Sequence, residues 1–250
     1  MTDSSALVVD EHLEQFRLAD DDLHVWFESL EADPQRLAEL APSLSPDELD
    51  RASRFRFARD RNRYVVGRGI LRRLVAGYTG ESPAAIKFGY GGHGKPFLPD
   101  GEITFNVSHS DSRAVFAFGR GQEIGVDIEA FAPRPADRDV AERFFSPREV
   151  RTLLALPLED RALAFLTCWT RKEAFIKAKG DGLSLSLQDF DVTFEPGVSP
   201  AILRTAWSRS EPASWHLQDL SAHCPGYVAA LAVRACDVTL TVRSESYPMG

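Results

Sequence analysis

An α+β fold is predicted for this 250-residue chain, and three observations predict it. Helical and strand-like segments occur in mixed order, without the strict alternation that builds a doubly wound sheet. The strand-like runs 114–118 and 123–129 flank Gly119-Arg120-Gly121-Gln122, the signature of a hairpin. Segments 59–88 and 161–194 each offer a long helix, a glycine-bearing turn and a strand, so the chain echoes itself.

Element by element, Ser45-Pro46-Asp47-Glu48 starts a helix: a serine cap, proline in the first turn, then acids at the positive end of the dipole. The pattern continues to about Ala76 with a break near Arg59-Asp60, and Gly77 and Gly80 close it. Short strands are expected at 85–88 and 103–105, separated by a glycine-rich loop. Helices are expected at 141–156 and 161–179, the second stopped by Gly180-Asp181-Gly182, and strands at 190–194 and 227–233. The tail from Arg234 carries no pattern.

Composition narrows the function classes. No run approaches the roughly 18 apolar residues of a membrane span, and Met1–Ser5 lacks the basic and apolar regions of a secretory signal. Cys168, Cys224 and Cys236 are too few and too scattered for a disulfide framework or a zinc site, so a reducing cytoplasm is expected. Net charge is −8, distributed unevenly. Residues 1–50 hold fourteen acids against two arginines, and residues 51–73 hold nine arginines against Asp60. One basic segment in an acidic chain suits either local recognition of an anion or a solvated helix laced with ion pairs. It does not suit a surface that coats nucleic acid.

Four segments carry chemistry. In Ile124-Gly125-Val126-Asp127-Ile128-Glu129, strand alternation sends Asp127 and Glu129 to one side, where two carboxylates can share a hard cation or simply meet water. On the helix around Trp169, helical spacing puts Glu173 inside an apolar stripe with Phe165, Trp169 and Ile176, and Lys177 one turn further at its border. A carboxylate there is costly unless paired or bound to metal. Gly89-Tyr90-Gly91-Gly92-His93-Gly94-Lys95-Pro96 imitates two nucleotide motifs, but both need a helix directly afterwards, which Pro96 and Pro99 preclude. Exposed amides beside Lys95 can still hold a phosphate, or form a plain loop. Ser108-His109-Ser110-Asp111 is no hydrolytic triad, because sequence neighbours rarely meet in triad geometry. His109 after a strand suits phosphate contact or a structural role equally.

Together Gly94-Lys95-Pro96, Phe105-Asn106-Val107-Ser108-His109-Ser110, Gly125-Val126-Asp127-Ile128-Glu129 and Trp169-Thr170-Arg171-Lys172-Glu173-Ala174-Phe175-Ile176-Lys177 resemble the Sfp-like 4′-phosphopantetheinyl transferases, in that family's order and over roughly residues 45–195. The resemblance implies a pseudo-twofold arrangement of two similar α+β halves. Residues 1–120 would supply coenzyme A phosphate contacts, and 121–250 the metal ligands and catalytic helix. It implies that Asp127, Glu129 and Glu173 hold Mg²⁺ on the coenzyme A pyrophosphate, and that Lys95, Ser108 and His109 contact the nucleotide phosphates. Arg51 stands where the family has a basic residue near the 3′-phosphate. Glu48 departs from the pattern, leaving Arg56, Arg59 and Arg63 as candidates to complete that clamp. Glu173 and Lys177 are the implied catalytic pair, with the choice of base between them open.

The implied reaction moves phosphopantetheine from coenzyme A to a serine of an apo acyl or peptidyl carrier protein. The expected enzyme is a cytoplasmic monomer with no nucleic acid or membrane partner. Its expected docking surface is the segment Phe131–Pro147, with Phe131, Arg134, Arg138, Arg143, Phe144 and Phe145. A nucleic-acid module, a catalytically silent relative and a metal-dependent phosphohydrolase are the competing readings. Chain acidity opposes the first, and the intact Asp127, Glu129, Glu173 and Lys177 oppose the second. Release of phosphate from coenzyme A without a carrier would support the third.

Overall fold

Strand β1 (Asp22–Ser29) is buried along its whole interior, so Leu23, Val25 and Phe27 enter one apolar core while His24, Trp26 and Glu28 are buried too. With both faces covered there is no polar alternation to read, and its strand character is not legible in the sequence. The computed structural model describes residues 14–92, 94–99, 101–132, 138–180, 185–235 and 237–244. It divides into two compact units: Ala32–Ile86 with the described residues before Asp20, and Asp20–Glu31 with the chain from Lys87 onward.

The first unit is helical. Helices α1 (Pro34–Leu40), α2 (Pro46–Ser53) and α3 (Ala58–Thr79) enclose Leu44, Ala52 and Val65. The helix break falls at 54–57, earlier than Arg59-Asp60. Gly77 does not close α3. It lies within the helix, where a Cβ would stand 2.6 Å from the Phe16 ring, and Gly80 alone ends the helix at φ 73°. Glu48 is 2% exposed and pairs with Arg68 and with Arg72, the latter at 2.6 Å. Burial alone would raise the Glu48 pKa, but the hydrogen bond from Arg72 and the other partners outweigh it and hold the carboxyl below its ordinary value. The departure at Glu48 is therefore a buried ion cluster that locks α2 onto α3.

The second unit contains two principal sheets. One has the order β11-β1-β5-β4, from β4 (Ile103–Ser110), β5 (Arg113–Arg120) and β11 (Thr239–Ser244). The other has the order β6-β10-β9, from β6 (Ile124–Ala130), β9 (His216–Asp219) and β10 (Tyr227–Val233). Short ribbons complete it: β2 (Gly89–Tyr90) with β3 (Pro96–Phe97), and β7 (Phe190–Val192) with β8 (Ile202–Thr205). The hairpin expected around Gly119–Gln122 does not form, because β5 and β6 enter different sheets; the true hairpin is β4–β5, turned at Asp111 with φ 47°. The helix expected at 141–156 is two helices, α4 (Arg138–Phe144) and α5 (Pro147–Ala155), because Ser146 caps a new start before Pro147. Helix α6 (Leu158–Lys179) is the long one, and like α3 it spans 22 residues and stops at a left-handed glycine.

The buried His24 makes this unit acid-sensitive. Desolvation, and then the Arg243 charge, lower its pKa from 6.5 to about 4. An unfolded chain therefore takes up the proton first. The His24 contribution is intact above about pH 6.5 and is lost as pH falls towards about 4. In urea unfolding, the drop in stability between pH 7 and pH 4.5 should be larger in the parent than in His24→Gln by about 2–3 kcal/mol; equal drops would show that His24 does not titrate this way.

Candidate active site

The site depends on how closely α6 approaches β6. Gly125 on β6 has no side chain, and a Cβ there would lie 2.1 Å from the Ala174 carbonyl oxygen and 2.2 Å from the Ala178 nitrogen. Only glycine allows this helix backbone to rest directly on the strand. The approach sets Glu173 and Lys177 beside Asp127 and Glu129. On its other side α6 is held by the fully buried Lys172, whose ammonium pairs with Glu149 at 2.8 Å and donates to the Leu187 and Phe190 carbonyls. From Cys168 to Ala178 the helix is thus buried on every face but one. Trp169, Glu173 and Lys177, spaced four apart, share the face that opens into a cavity.

That cavity, about 350 Å³, is lined by Val107, Ser108, His109, Asp127, Glu129, Trp169, Glu173 and Lys177. The Lys177 ammonium stands 2.6 Å from Asp127 Oδ1 and 2.9 Å from Ser108 Oγ. Ser108 in turn donates to the same Oδ1 at 2.8 Å. Asp127 is 3% exposed, and its Oδ2 is buried without a hydrogen-bond partner. Ser110 Oγ donates to Glu129 Oε2 at 2.8 Å.

Burial and then the Asp127 charge push the Glu173 carboxyl above its ordinary value. Glu129 is pushed the same way, first by burial and also by Asp127, against the hydrogen bond from Ser110. Desolvation and then the Lys177 charge hold the His109 imidazole below its ordinary value, so it is neutral at pH 7 although the residue is exposed at the rim. Three acids and one lysine line the cavity, and the Asp127 charge, which raises both Glu129 and Glu173, favours added positive charge there.

Six of the residues singled out by sequence therefore meet in one cavity: Ser108, His109, Asp127, Glu129, Glu173 and Lys177. Lys95 is engaged otherwise. Its ammonium donates to the Ile124 carbonyl at 3.1 Å and the Lys177 carbonyl at 2.7 Å, tying the β2–β3 ribbon to the start of β6 and the end of α6. Desolvation lowers its pKa to about 8. Arg51 belongs to the first unit, with its guanidinium 5.4 Å from the Tyr64 ring centroid. Of the docking segment, Arg134 lies outside the described residues, Phe131 is exposed, and Arg138 pairs with Glu142 at 2.6 Å. Phe145 is core, and Phe144 packs edge-on against Trp169 with ring centroids 5.6 Å apart.

Asn106, Ser110 and Trp169 stand within the quoted motifs but were given no part in the chemistry. Beyond that, their signal is position: polar residues at period two on β4 matching Asp127 and Glu129 at period two on β6, and an aromatic one turn before Glu173. Among the described residues no group of three or more His, Cys, Asp or Glu side chains is gathered closely enough to hold a metal ion. Nor is any helix there long and apolar enough to cross a membrane.

The carboxylate cavity lies between strands β4 and β6 and helix α6, and comparison with known proteins gives the class. Residues 123–232 match the 4′-phosphopantetheinyl transferase superfamily, and residues 30–119 match the 4′-phosphopantetheinyl transferase N-terminal family. The chain is 41% identical over 200 residues to the 4′-phosphopantetheinyl transferase HetI of Nostoc sp., covering 78% of this chain and 84% of that one. It is 37% identical over 174 residues to a 4′-phosphopantetheinyl transferase of Bacillus subtilis, covering 65% and 76%. To the 4′-phosphopantetheinyl transferase Sfp of Bacillus subtilis strain 168 it is 35% identical over 150 residues, covering 60% and 66%. The chain belongs to the 4′-phosphopantetheinyl transferase superfamily and is an enzyme of that type.

Proposed function

We propose that this enzyme transfers 4′-phosphopantetheine from coenzyme A to a serine of an apo acyl or peptidyl carrier protein, with Mg²⁺ held by Asp127, Glu129 and Glu173. The observation that carries the proposal is the convergence of these acids with Lys177 in one cavity, where Asp127 keeps a buried oxygen without a partner. The three carboxylates line the cavity without standing as a closed ligand group in this structure, so a hard divalent cation, which takes oxygen donors, would have to draw them together. When bound, such a cation would offset charge on the pyrophosphate oxygens.

The remaining work falls to side chains. The carrier serine hydroxyl attacks the phosphorus that bears the pantetheine arm; a new P–O bond forms, the P–O bond to the nucleotide phosphate breaks, and adenosine 3′,5′-bisphosphate leaves. Glu173, whose carboxyl is held above its ordinary value, takes the serine proton directly or through a water. Lys177 meets the charge that grows on the departing phosphate. To do so it releases Asp127 Oδ1, and its 28% exposed side chain has room to move. His109, neutral at the rim, donates a hydrogen bond to a nucleotide phosphate, with Ser108 beside it; Arg51 is assigned to the 3′-phosphate on resemblance alone. Division of labour between residues 1–120, which bring Ser108 and His109, and residues 121–250, which bring the acids and Lys177, is part of the same reading.

Intact-mass measurement on a panel of apo carriers incubated with enzyme and coenzyme A tests it. A mass gain of one phosphopantetheine, abolished by EDTA and restored by Mg²⁺, is expected. Under the same conditions His109→Ala should raise KM for coenzyme A about tenfold or more, the value of roughly one charge-assisted hydrogen bond, and leave KM for the carrier unchanged. Phosphate release from coenzyme A without a carrier, with no mass gain on any carrier, would favour a phosphohydrolase instead.

A further inference from the structure

Strands β4 and β6 run side by side but belong to different sheets. The seam is closed by side chains from alternate positions of β4. Asn106 Oδ1 accepts the Val126 backbone N–H at 2.9 Å, Ser108 reaches Asp127, and Ser110 reaches Glu129. Strand alternation sends all three to one side, in register with the two acids of β6. The acids are therefore aimed from a neighbouring strand as well as from their own backbone.

Ser110, like Asn106, is a member of this seam to which the proposed chemistry gives no part. Its hydroxyl proton is given to Glu129 Oε2 at 2.8 Å, and its oxygen accepts the Ala130 backbone N–H at 3.1 Å. A hydroxyl has one proton, so Ser110 has no donor left for a phosphate. What it does is fix a flexible glutamate. The Ala130 N–H fixes the serine oxygen, and the serine fixes the glutamate, leaving Glu129 Oε1 outside the pair.

We propose that Ser110 is a positioning residue for divalent-cation binding, holding Glu129 so that its carboxylate meets a cation shared with Asp127. The proposal rests on the assignment of Glu129 as a ligand made above. Asn106 sets the register in which this happens, because its bond to Val126 fixes β6 against β4 one residue before Asp127. Loss of such an outer contact typically weakens metal affinity roughly 10- to 100-fold.

The test is Mn²⁺ binding to the full chain in saturating coenzyme A, read from the electron paramagnetic resonance of free Mn²⁺, with coenzyme A affinity measured separately in EDTA. Ser110→Ala should weaken Mn²⁺ about 10- to 100-fold and leave coenzyme A affinity in EDTA unchanged. Ser110→Thr, which keeps the hydroxyl, should bind Mn²⁺ nearly as the parent does. The double variant Ser110→Ala/Glu129→Ala should bind no more weakly than Glu129→Ala, because the serine acts through the glutamate. If Ser110→Ala does not fold, Ser110→Cys, which removes only the strong donor, takes its place. Parent-like Mn²⁺ binding in a folded Ser110 variant lacking the hydroxyl overturns the proposal while Glu129→Ala still shows the ligand assignment intact. Additive losses in the double variant overturn it as well. Parent-like binding by Glu129→Ala overturns the ligand assignment, and the proposal with it.

Discussion

Asp127→Ala is expected to lower transfer by more than the roughly 10–100-fold that loss of an outer contact produces, and Glu173→Ala by a similar factor. Asp127 stands at the centre of the cavity: one oxygen is bound by Lys177 and Ser108, and the other is buried and without a partner. Its removal would delete a proposed cation ligand and also free Lys177. The protein should still fold, because Lys177 is 28% exposed and can turn its charge to water instead of remaining an unpaired buried cation. Glu129→Ala should be milder, since a water could fill its place at a hard cation. Steady-state rates at low and saturating Mg²⁺, normalised to folded protein, check the ordering. Near-parent rates for both Asp127→Ala and Glu173→Ala at low Mg²⁺ would remove the carboxylate assignment.

Gly125→Ala should be the most damaging single methyl group in the second unit. Its Cβ would stand 2.1 Å from the Ala174 oxygen, 2.2 Å from the Ala178 nitrogen and 2.8 Å from the Lys177 carbonyl carbon. These are backbone atoms of a 22-residue helix, which cannot yield one at a time. The helix must shift as a body, carrying Glu173 and Lys177 away from Asp127. Overpacking of this kind costs about 1–3 kcal/mol and occasionally more. Urea unfolding should show that loss, and activity per folded molecule should fall even at temperatures where the variant remains folded. A variant as stable as the parent, with the parent rate, would mean that the helix does not rest on β6 this closely.

The sequence was most informative where chemistry and periodicity coincided. Asp127 and Glu129 on alternate strand positions, and Glu173 and Lys177 one helical turn apart, could be grouped before any fold was known, and they line one cavity. The helix ends at Gly80 and Gly180 were legible because a left-handed residue almost demands glycine. Gly77 looked the same in sequence, yet it answers to the Phe16 ring and not to a turn. Pairing was the blind spot. Gly119–Gln122 has the composition of a hairpin turn, but both edges of β5 are already taken, one by its hairpin neighbour β4 and the other by the distant β1. Lys95 shows a similar limit: a lysine after glycines suggests phosphate, but the sequence does not show that its ammonium reaches one carbonyl at the start of β6 and one at the end of α6. Strands β1 and β11 eluded pattern altogether, the first because both its faces are buried and the second because its positions are mostly half-exposed.

The parallel pairing of β1 with β11 bears on how the chain is made. Asp22–Phe27 lie against Thr239–Ser244, so one sheet joins two segments far apart in sequence. During synthesis β1 can acquire β5 once residue 120 has emerged, but its other edge must wait for residue 239. At about 5–20 residues per second that interval lasts roughly 6–24 s. Throughout it, a strand with apolar Leu23, Val25 and Phe27 shows unpaired backbone to whatever chain lies nearby. Conditions that slow translation late in the message would lengthen that exposure, so the yield of this enzyme in a cell should depend on elongation speed as well as on the stability of the finished fold.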